Sequence, residues 1–310
     1  MIFGGGTGTS LILEELKNIN CEITVVVTVS DDGASTGRLR KEFNIPAIGD
    51  LRKVLSSLST LPAQYNKFME YRFTTESDLN NHAIGNLIIT SFLNQGYDLK
   101  TVTDYLSELL QVKHKVLPLS NNYLTLMMET VNNDIIEGQT NINLSDEECK
   151  RLFYKEKFEV LPEVLTEVKE ADLIILSMGS LYTSLLPHLI CCDVKNKINN
   201  SKGKVMYVCN TLTEPGETDK FTVSKHVEEI NKYLGENVID VVIANNKIIE
   251  NNILKTIKND KKKDLVTIDY EKINKLNIEL IEDELLYVIG NQIIYDSKKL
   301  SSIIKNYIKE

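Results

Sequence analysis

Residues 1–32 read MIFGGGTGTSLILEELKNINCEITVVVTVSDD, and their order decides the fold class. Residues 23–29 (ITVVVTV) form a continuous apolar, β-branched run, the pattern of a central parallel strand buried on both faces. The run ends in polar Ser30-Asp31-Asp32. Ahead of it, Met1–Phe3 reads as a short strand, Gly4–Ser10 as a glycine-rich turn and Leu11–Ile19 as one helix. Strand, turn, helix and strand in immediate succession open an alternating α/β sheet.

Working outward, Leu51, Val54, Leu55 and Leu58 recur at i, i+3, i+4 and i+7, which predicts an amphipathic helix capped by Asp50. Ala83–Leu93 and Val102–Leu110 read as helices. Leu124–Val131 and Ile135–Ile142, separated by Asn132-Asn133-Asp134, read as a β-hairpin outside the main sheet. The α/β rhythm resumes with strands over Leu173–Leu176, Lys204–Cys209 and Ile239–Ala244. Lys258–Asp264 (KNDKKKD) reads as a solvated loop, and Asp296–Tyr307 as a capped terminal helix. The expected architecture is α/β: a doubly wound, mostly parallel sheet. It forms a single domain over residues 1–310, with an insertion over about 60–160 of helices followed by the 124–142 hairpin.

The chain has 310 residues and a formal net charge of −9, which argues against nonspecific binding of nucleic acid or an anionic membrane surface. Five cysteines without a CxxC pair, and four scattered histidines, give no zinc spacing and fit a reduced cytosolic compartment. No basic segment followed by an apolar one opens the sequence, so no signal peptide is expected. Residues 173–192 carry no formal charge and are long enough to cross a bilayer. Ser177, Gly179, Ser180, Thr183, Ser184, Pro187 and His188 interrupt them, so they read as strand, turn and helix. A cytoplasmic protein without membrane insertion is expected. Of 35 basic residues only five are Arg, and Arg38, Arg40 and Arg52 fall close together. Their planar guanidinium groups suit an oxyanion.

The candidate chemistry lies in five places. Gly4-Gly5-Gly6-Thr7-Gly8, followed by Thr9, forms a strand-to-helix turn whose backbone N–H groups suit a phosphate. It matches neither GxGxxG nor a P-loop. The alternative is a tight turn, although four glycines in five positions exceed what one turn requires. Asp31, Asp32, Ser35, Thr36, Arg38, Arg40, Asp50 and Arg52 make a second region, either an anion pocket with Mg²⁺ or a solvated loop of mutually paired charges. His82 and Asn86 lie one turn apart, with His82 otherwise a helix cap or a satisfied buried histidine. Gly179, Ser180 and Leu181 follow an apolar strand in a second phosphate-type turn, the alternative being a turn glycine and a serine cap. Asn210 ends a strand before Thr213-Glu214-Pro215-Gly216-Glu217-Thr218-Asp219, a substrate lid or a plain loop. Neither a GxSxG nor a Cys–His spacing marks a nucleophile, so no catalytic residue is assigned.

GGGTG, DDGxSxGRLR, GDLR, HxxGN, GSLYTS and CNxxTxPGETDxFT together resemble the gluconeogenesis factor family, homologous to 2-phospho-L-lactate transferase. The resemblance runs from Gly4 to about Leu300. It implies a Rossmann-like αβα sandwich binding a nucleotide at the strand C-termini. It also implies a UDP-sugar ligand of the UDP-N-acetylglucosamine type, with Gly5–Thr9 on the diphosphate and Gly179, Ser180 and Asn210 nearby. Asp50 matches an acidic position of the transferase's acceptor or metal site. The GRLR segment at Gly37–Arg40 favours the factor branch, whereas Thr9 is the residue common in transferases. Family members are expected to carry Gly where Ala34 stands, Pro at Met178 and a basic residue near Ile294.

The expected function is that of a nucleotide-sugar-binding regulator linked to carbon metabolism, cell shape and the cell wall. It requires no cofactor beyond its ligand, and acts as a homo-oligomer with a regulatory protein partner. The alternative is an enzyme that moves a phosphoenolpyruvyl or phospholactyl group from a nucleotide diphosphate to a deazaflavin-type acceptor, with Mg²⁺ at Asp50.

Overall fold

A computed structural model describes residues 1–250, 253–255, 263–289 and 292–309, so most of the expected Lys258–Asp264 loop lies outside the described residues. The strands, in chain order, are β1 (Ile2–Phe3), β2 (Thr24–Val27), β3 (Lys115–Pro118), β4 (Leu126–Thr130), β5 (Ile135–Glu137) and β6 (Cys149–Tyr154). They continue as β7 (Leu173–Leu176), β8 (Lys204–Val208), β9 (Val241–Asn245), β10 (Glu279–Asp283), β11 (Leu286–Ile289) and β12 (Gln292–Tyr295). Seven of them make a parallel sheet in the order β10-β9-β8-β7-β1-β2-β3.

The apolar runs become buried strands because side chains alternate across a sheet with period two. Phe3, Val26, Leu176, Tyr207 and Val242 face one core. Their chain neighbours Ile2, Val25, Ile175, Met206 and Val241 face the other. Helices cover both faces, as expected of a doubly wound α/β sheet.

Strand β1 pairs with β2 through Ile2 and Val25, and with β7 through Ile2 and Ile175. The chain therefore leaves β1 toward one edge and resumes on its other side at β7. That reversal of strand order places a crevice at the C-terminal ends of β1 and β7.

Local boundaries differ from the sequence reading in instructive ways. Helix α1 (Gly6–Leu16) starts inside the glycine run, so those glycines are its first turn rather than a loop before it. Helices α2 (Ala34–Phe43), α3 (Gly49–Leu58), α4 (Ala63–Glu70), α5 (Ile84–Asn94) and α6 (Leu99–Leu109) follow. Asp50 does not cap α3: Ile48 holds the cap position and Asp50 sits in the first turn. The hairpin exists, with Met128 opposite Ile136, but its second arm ends at Glu137 and the chain turns into helix α7 (Gln139–Leu144). Strand β6 joins the other side of β4, making a three-stranded sheet. Only the apolar Leu152 and Phe153 marked β6, too short a run to separate from loop. Helix α8 (Pro162–Glu170) leads into β7. The terminal helix Ser297–Lys309 is capped by the Asp296 carboxylate, which accepts from the Lys299 N–H at 2.9 Å. No described helix is long and apolar enough to cross a membrane. Residues 173–189 are strand, turn and a helical segment over Leu181–Leu189.

Candidate functional site

The two strand-to-helix turns meet at the switch point. The Thr9 hydroxyl donates to the Ser177 hydroxyl at 3.1 Å, tying the start of α1 to the end of β7. Glycine permits this approach: a Cβ on Gly4 would stand 2.5 Å from Thr9 Oγ1, and one on Gly8 would stand 3.0 Å from the Met178 carbonyl oxygen. Four helices begin around the same edge, after Gly5, Gly33, Ile48 and Ala83, and none has a side-chain cap. At the start of α5 the Ile84 N–H donates to the Tyr71 carbonyl at 3.0 Å, while the first turns of the other three have no side-chain acceptor among the described residues and suit an anion. Thr7, on the first turn of α1, is exposed.

Two carboxylates lie beside these helix starts. Asp50 lies against Gly5 and Gly6, where a Cβ on Gly5 would come within 2.8 Å of its Oδ2. It forms an ion pair with Lys53 at 3.5 Å. Asp31 accepts from the Gly33 N–H at 3.0 Å. Burial, followed by the negative charge of Asp50, pushes its carboxyl above the usual range. Asp32 points elsewhere: it accepts from the Thr140 N–H at 2.8 Å and from the Thr140 hydroxyl at 2.7 Å, holding the three-stranded sheet's α7 to the end of β2.

The clustered arginines divide among separate tasks. Arg40 is buried and donates to the carbonyls of Ser30, Asp31 and Leu124 at 2.7, 2.8 and 2.5 Å, with its guanidinium 4.3 Å from the Tyr123 ring centroid. Arg52 is buried and gives Glu70 two bonds, at 2.9 and 2.8 Å. Arg38 lies at the surface, donating to the backbone carbonyls of Asp78 and Asn80. Proximity in sequence put all three near one edge, but backbone carbonyls, Glu70 and Asn86 engage most of their donors.

His82 and Asn86 meet at Ser35. His82 Nδ1 lies 2.9 Å from Ser35 Oγ, and Asn86 Nδ2 donates to the same oxygen at 3.0 Å. Asn86 Oδ1 accepts from Arg52 at 2.8 Å. Burial, then the nearby charge of Arg38, lowers the His82 pKa and favours the neutral ring.

At the second turn, Ser180 caps the segment beginning at Leu181, accepting from the Thr183 N–H at 3.1 Å. Asn210 grips the Gly179 peptide from both sides, accepting from its N–H at 3.2 Å and donating to its carbonyl at 2.7 Å. Thr218 and Asp219 shape the loop itself: Thr218 Oγ1 accepts from the Glu214 N–H and Asp219 from the Gly216 N–H, both at 2.8 Å.

Glu217 is the residue that sequence reasoning left among the loop carboxylates. Its Oε1 accepts from the Ser180 hydroxyl at 2.8 Å and from the Tyr182 N–H at 2.5 Å. Burial pushes its carboxyl up to about 7. The PGETD sequence showed a turn with acids but not which acid folds back. Glu70 lies in no distinctive local pattern and has no sequence signal, whereas Ser177 opens the second strand-to-helix turn but its pairing with Thr9 is not visible along the chain. Among the described residues, no cluster of three His, Cys, Asp or Glu side chains is arranged to hold a metal ion.

The family model of 2-phospho-L-lactate transferase CofD matches residues 1–286. The gluconeogenesis factor of Bacillus subtilis (strain 168) is 36% identical over 310 residues, spanning 100% of this chain and 98% of that protein. The gluconeogenesis factor of Halalkalibacterium halodurans is 33% identical over 305 residues, spanning 98% and 94% of the two chains. An X-ray structure of a Bacillus halodurans protein superimposes with a TM-score of 0.93 at 34% identity, covering 98% of this chain and 97% of that one.

Proposed function

This chain belongs to the gluconeogenesis factor family and carries the CofD domain, and on that premise we propose that it binds a nucleotide-sugar of the UDP-N-acetylglucosamine type and acts as a regulatory protein. The observation that carries this reading is the crevice between β1 and β7, where α1 and the Leu181–Leu189 segment begin side by side. A diphosphate there would be met by the first-turn N–H groups of α1, around Gly5, Gly6, Thr7, Gly8 and Thr9. Gly179, Ser180 and Leu181 would flank it, their peptide held in place by Asn210. In this reading the ligand reports metabolic state to a protein partner, and the chain works in the cytoplasm as a homo-oligomer that influences cell shape and the cell wall.

Asp31 and Asp50 favour a second reading. Burial and then the charge of Asp50 raise the Asp31 pKa, and a divalent cation would relieve the repulsion between the two through hard oxygen ligands. Mg²⁺ held there by Asp31 and Asp50 would neutralise charge on a nucleotide diphosphate during group transfer to a deazaflavin-type acceptor. Asp50 would hold the metal against the Gly5–Gly6 turn, and Asp31 would keep the pair in register through its bond to Gly33.

Calorimetric titration with UDP-N-acetylglucosamine and with GDP, each with and without Mg²⁺, separates the two. The regulator binds the UDP-sugar without Mg²⁺ and ignores GDP. GDP binding strengthened by Mg²⁺ would replace that reading with the transferase.

A further inference from the structure

Five side chains form one hydrogen-bonded line that runs from α4 to His82, just ahead of α5. Glu70 on α4 accepts from Arg52 on α3, Arg52 donates to Asn86 on α5, Asn86 donates to Ser35 on α2, and Ser35 meets His82. Chemistry fixes the direction of every bond. A guanidinium has donors only, so the Asn86 atom 2.8 Å from Arg52 is its oxygen. The amide nitrogen of Asn86 therefore faces Ser35 and donates. The Ser35 hydroxyl is buried, and its proton then has a single acceptor in reach, Nδ1 of His82. The opposite histidine tautomer would leave that buried hydroxyl proton without an acceptor. Nε2 of His82 makes no bond to the described residues and is not among their buried unpartnered atoms, so the small exposed edge of the ring carries it.

We propose that this line locks His82 as the Nε2–H tautomer and makes it a fixed, uncharged donor to a phosphate-class oxygen of the ligand. The class of ligand rests on the nucleotide-sugar reading and on the three helix starts around the crevice that have no side-chain acceptor among the described residues. The tautomer rests on the hydrogen bonds alone. Glu70 and Arg52 are positioning residues here, acting through Asn86 and Ser35.

The test is two-bond ¹H–¹⁵N spectroscopy on the uniformly labelled full chain at neutral pH. The free protein is expected to show a protonated Nε2 and an unprotonated Nδ1 for His82. A protonated Nδ1, or a mixture in fast exchange, overturns the proposal. Asn86→Asp is the sharper variant. Its second carboxylate oxygen takes the Ser35 proton, so Ser35 must accept from Nδ1–H and the tautomer inverts. An uninverted ring in the folded variant overturns the relay. For the ligand arm, UDP-N-acetylglucosamine is the probe. His82→Gln keeps an N–H near the Nε2 position and is expected to retain affinity. His82→Asn cannot reach it and is expected to bind about tenfold more weakly. Equal losses, or binding that leaves the His82 signals unmoved, overturn the donor role. Complete absence of binding in the unmodified chain counts against the nucleotide-sugar reading instead, and the free-protein spectrum still decides the tautomer.

Discussion

The hydroxyls of Thr9 and Ser177 stand 3.1 Å apart although 168 residues separate them in the chain. Both are buried, and they join the two turns that frame the crevice. Thr9→Val and Ser177→Ala are each expected to destabilise the protein by about 1 kcal/mol, with most of the loss shared in the double mutant. Urea denaturation of the four proteins in the cycle measures the coupling, and strictly additive losses would show that the contact contributes nothing.

Ala34 has a φ of +41°, the left-handed region where a Cβ is strained. This gives a physical reason for the glycine that the family resemblance leads one to expect there. Ala34→Gly is expected to raise stability by about 1 kcal/mol, since glycine has no Cβ to strain but loses more chain entropy on folding. A lower melting temperature in the variant would contradict this.

Glu217 links stability to pH. Its carboxyl is raised from 4.5 to about 7, so the folded state binds the extra proton between those values. Stability from this group is complete below pH 4.5 and is lost as pH rises toward 7, at up to about 1.4 kcal/mol per unit. Both hydrogen bonds converge on Oε1, leaving Oε2 to carry the proton. Glu217→Gln keeps the acceptor and should abolish this slope. Parallel stability curves for the two proteins over pH 5–7 would refute the assignment.

His188 acts with the opposite sign. It is fully buried, its ring centroid 5.2 Å from that of Phe3, and neither ring nitrogen has a partner among the described residues. Burial lowers its pKa from 6.5 to about 3, so the unfolded chain binds the extra proton between those values. Stability from the neutral ring is complete above pH 6.5 and falls as pH drops toward 3. His188→Leu is expected to raise stability by about 1–2 kcal/mol at pH 7, by removing a buried unpartnered N–H. The gain should widen at pH 5. A gain independent of pH would mean that the ring is solvated.

Gly85 lies where α5 crosses Arg52. A Cβ there would meet Arg52 Cδ at 2.7 Å and the Met69 carbonyl oxygen at 2.9 Å. Gly85→Ala is expected to cost about 1–3 kcal/mol, because the backbone oxygen cannot yield and Arg52 is held by Glu70. Unchanged denaturation would show that the Arg52–Glu70 pair moves freely.

Five of the seven strands of the parallel sheet are legible along the chain, and β3 and β10 at its two edges are not. Residues 173–176 and 205–209 are apolar without interruption and 23–29 are β-branched throughout, and alternation with helical segments leaves a parallel sheet covered on both faces as the architecture that buries them. The sequence by itself also located both turns, because glycine after a strand and before a helix is a local signal. The carboxylates and arginines of residues 31–52 were visible as a group, but their partners were not. Asp32 reaches Thr140 across 108 residues, Ser180 reaches Glu217 across 37, and Arg52 reaches Glu70 across 18. Strand and helix periodicity depends on neighbours a few positions away, so it can be read along the chain. Hydrogen-bond partners depend on which loops the strand order brings together. Strand order, with β7 beside β1, and the packing of α3, α4 and α5 around one edge bring Glu217 onto Ser180 and Glu70 onto the Arg52 that leads through Asn86 and Ser35 to His82.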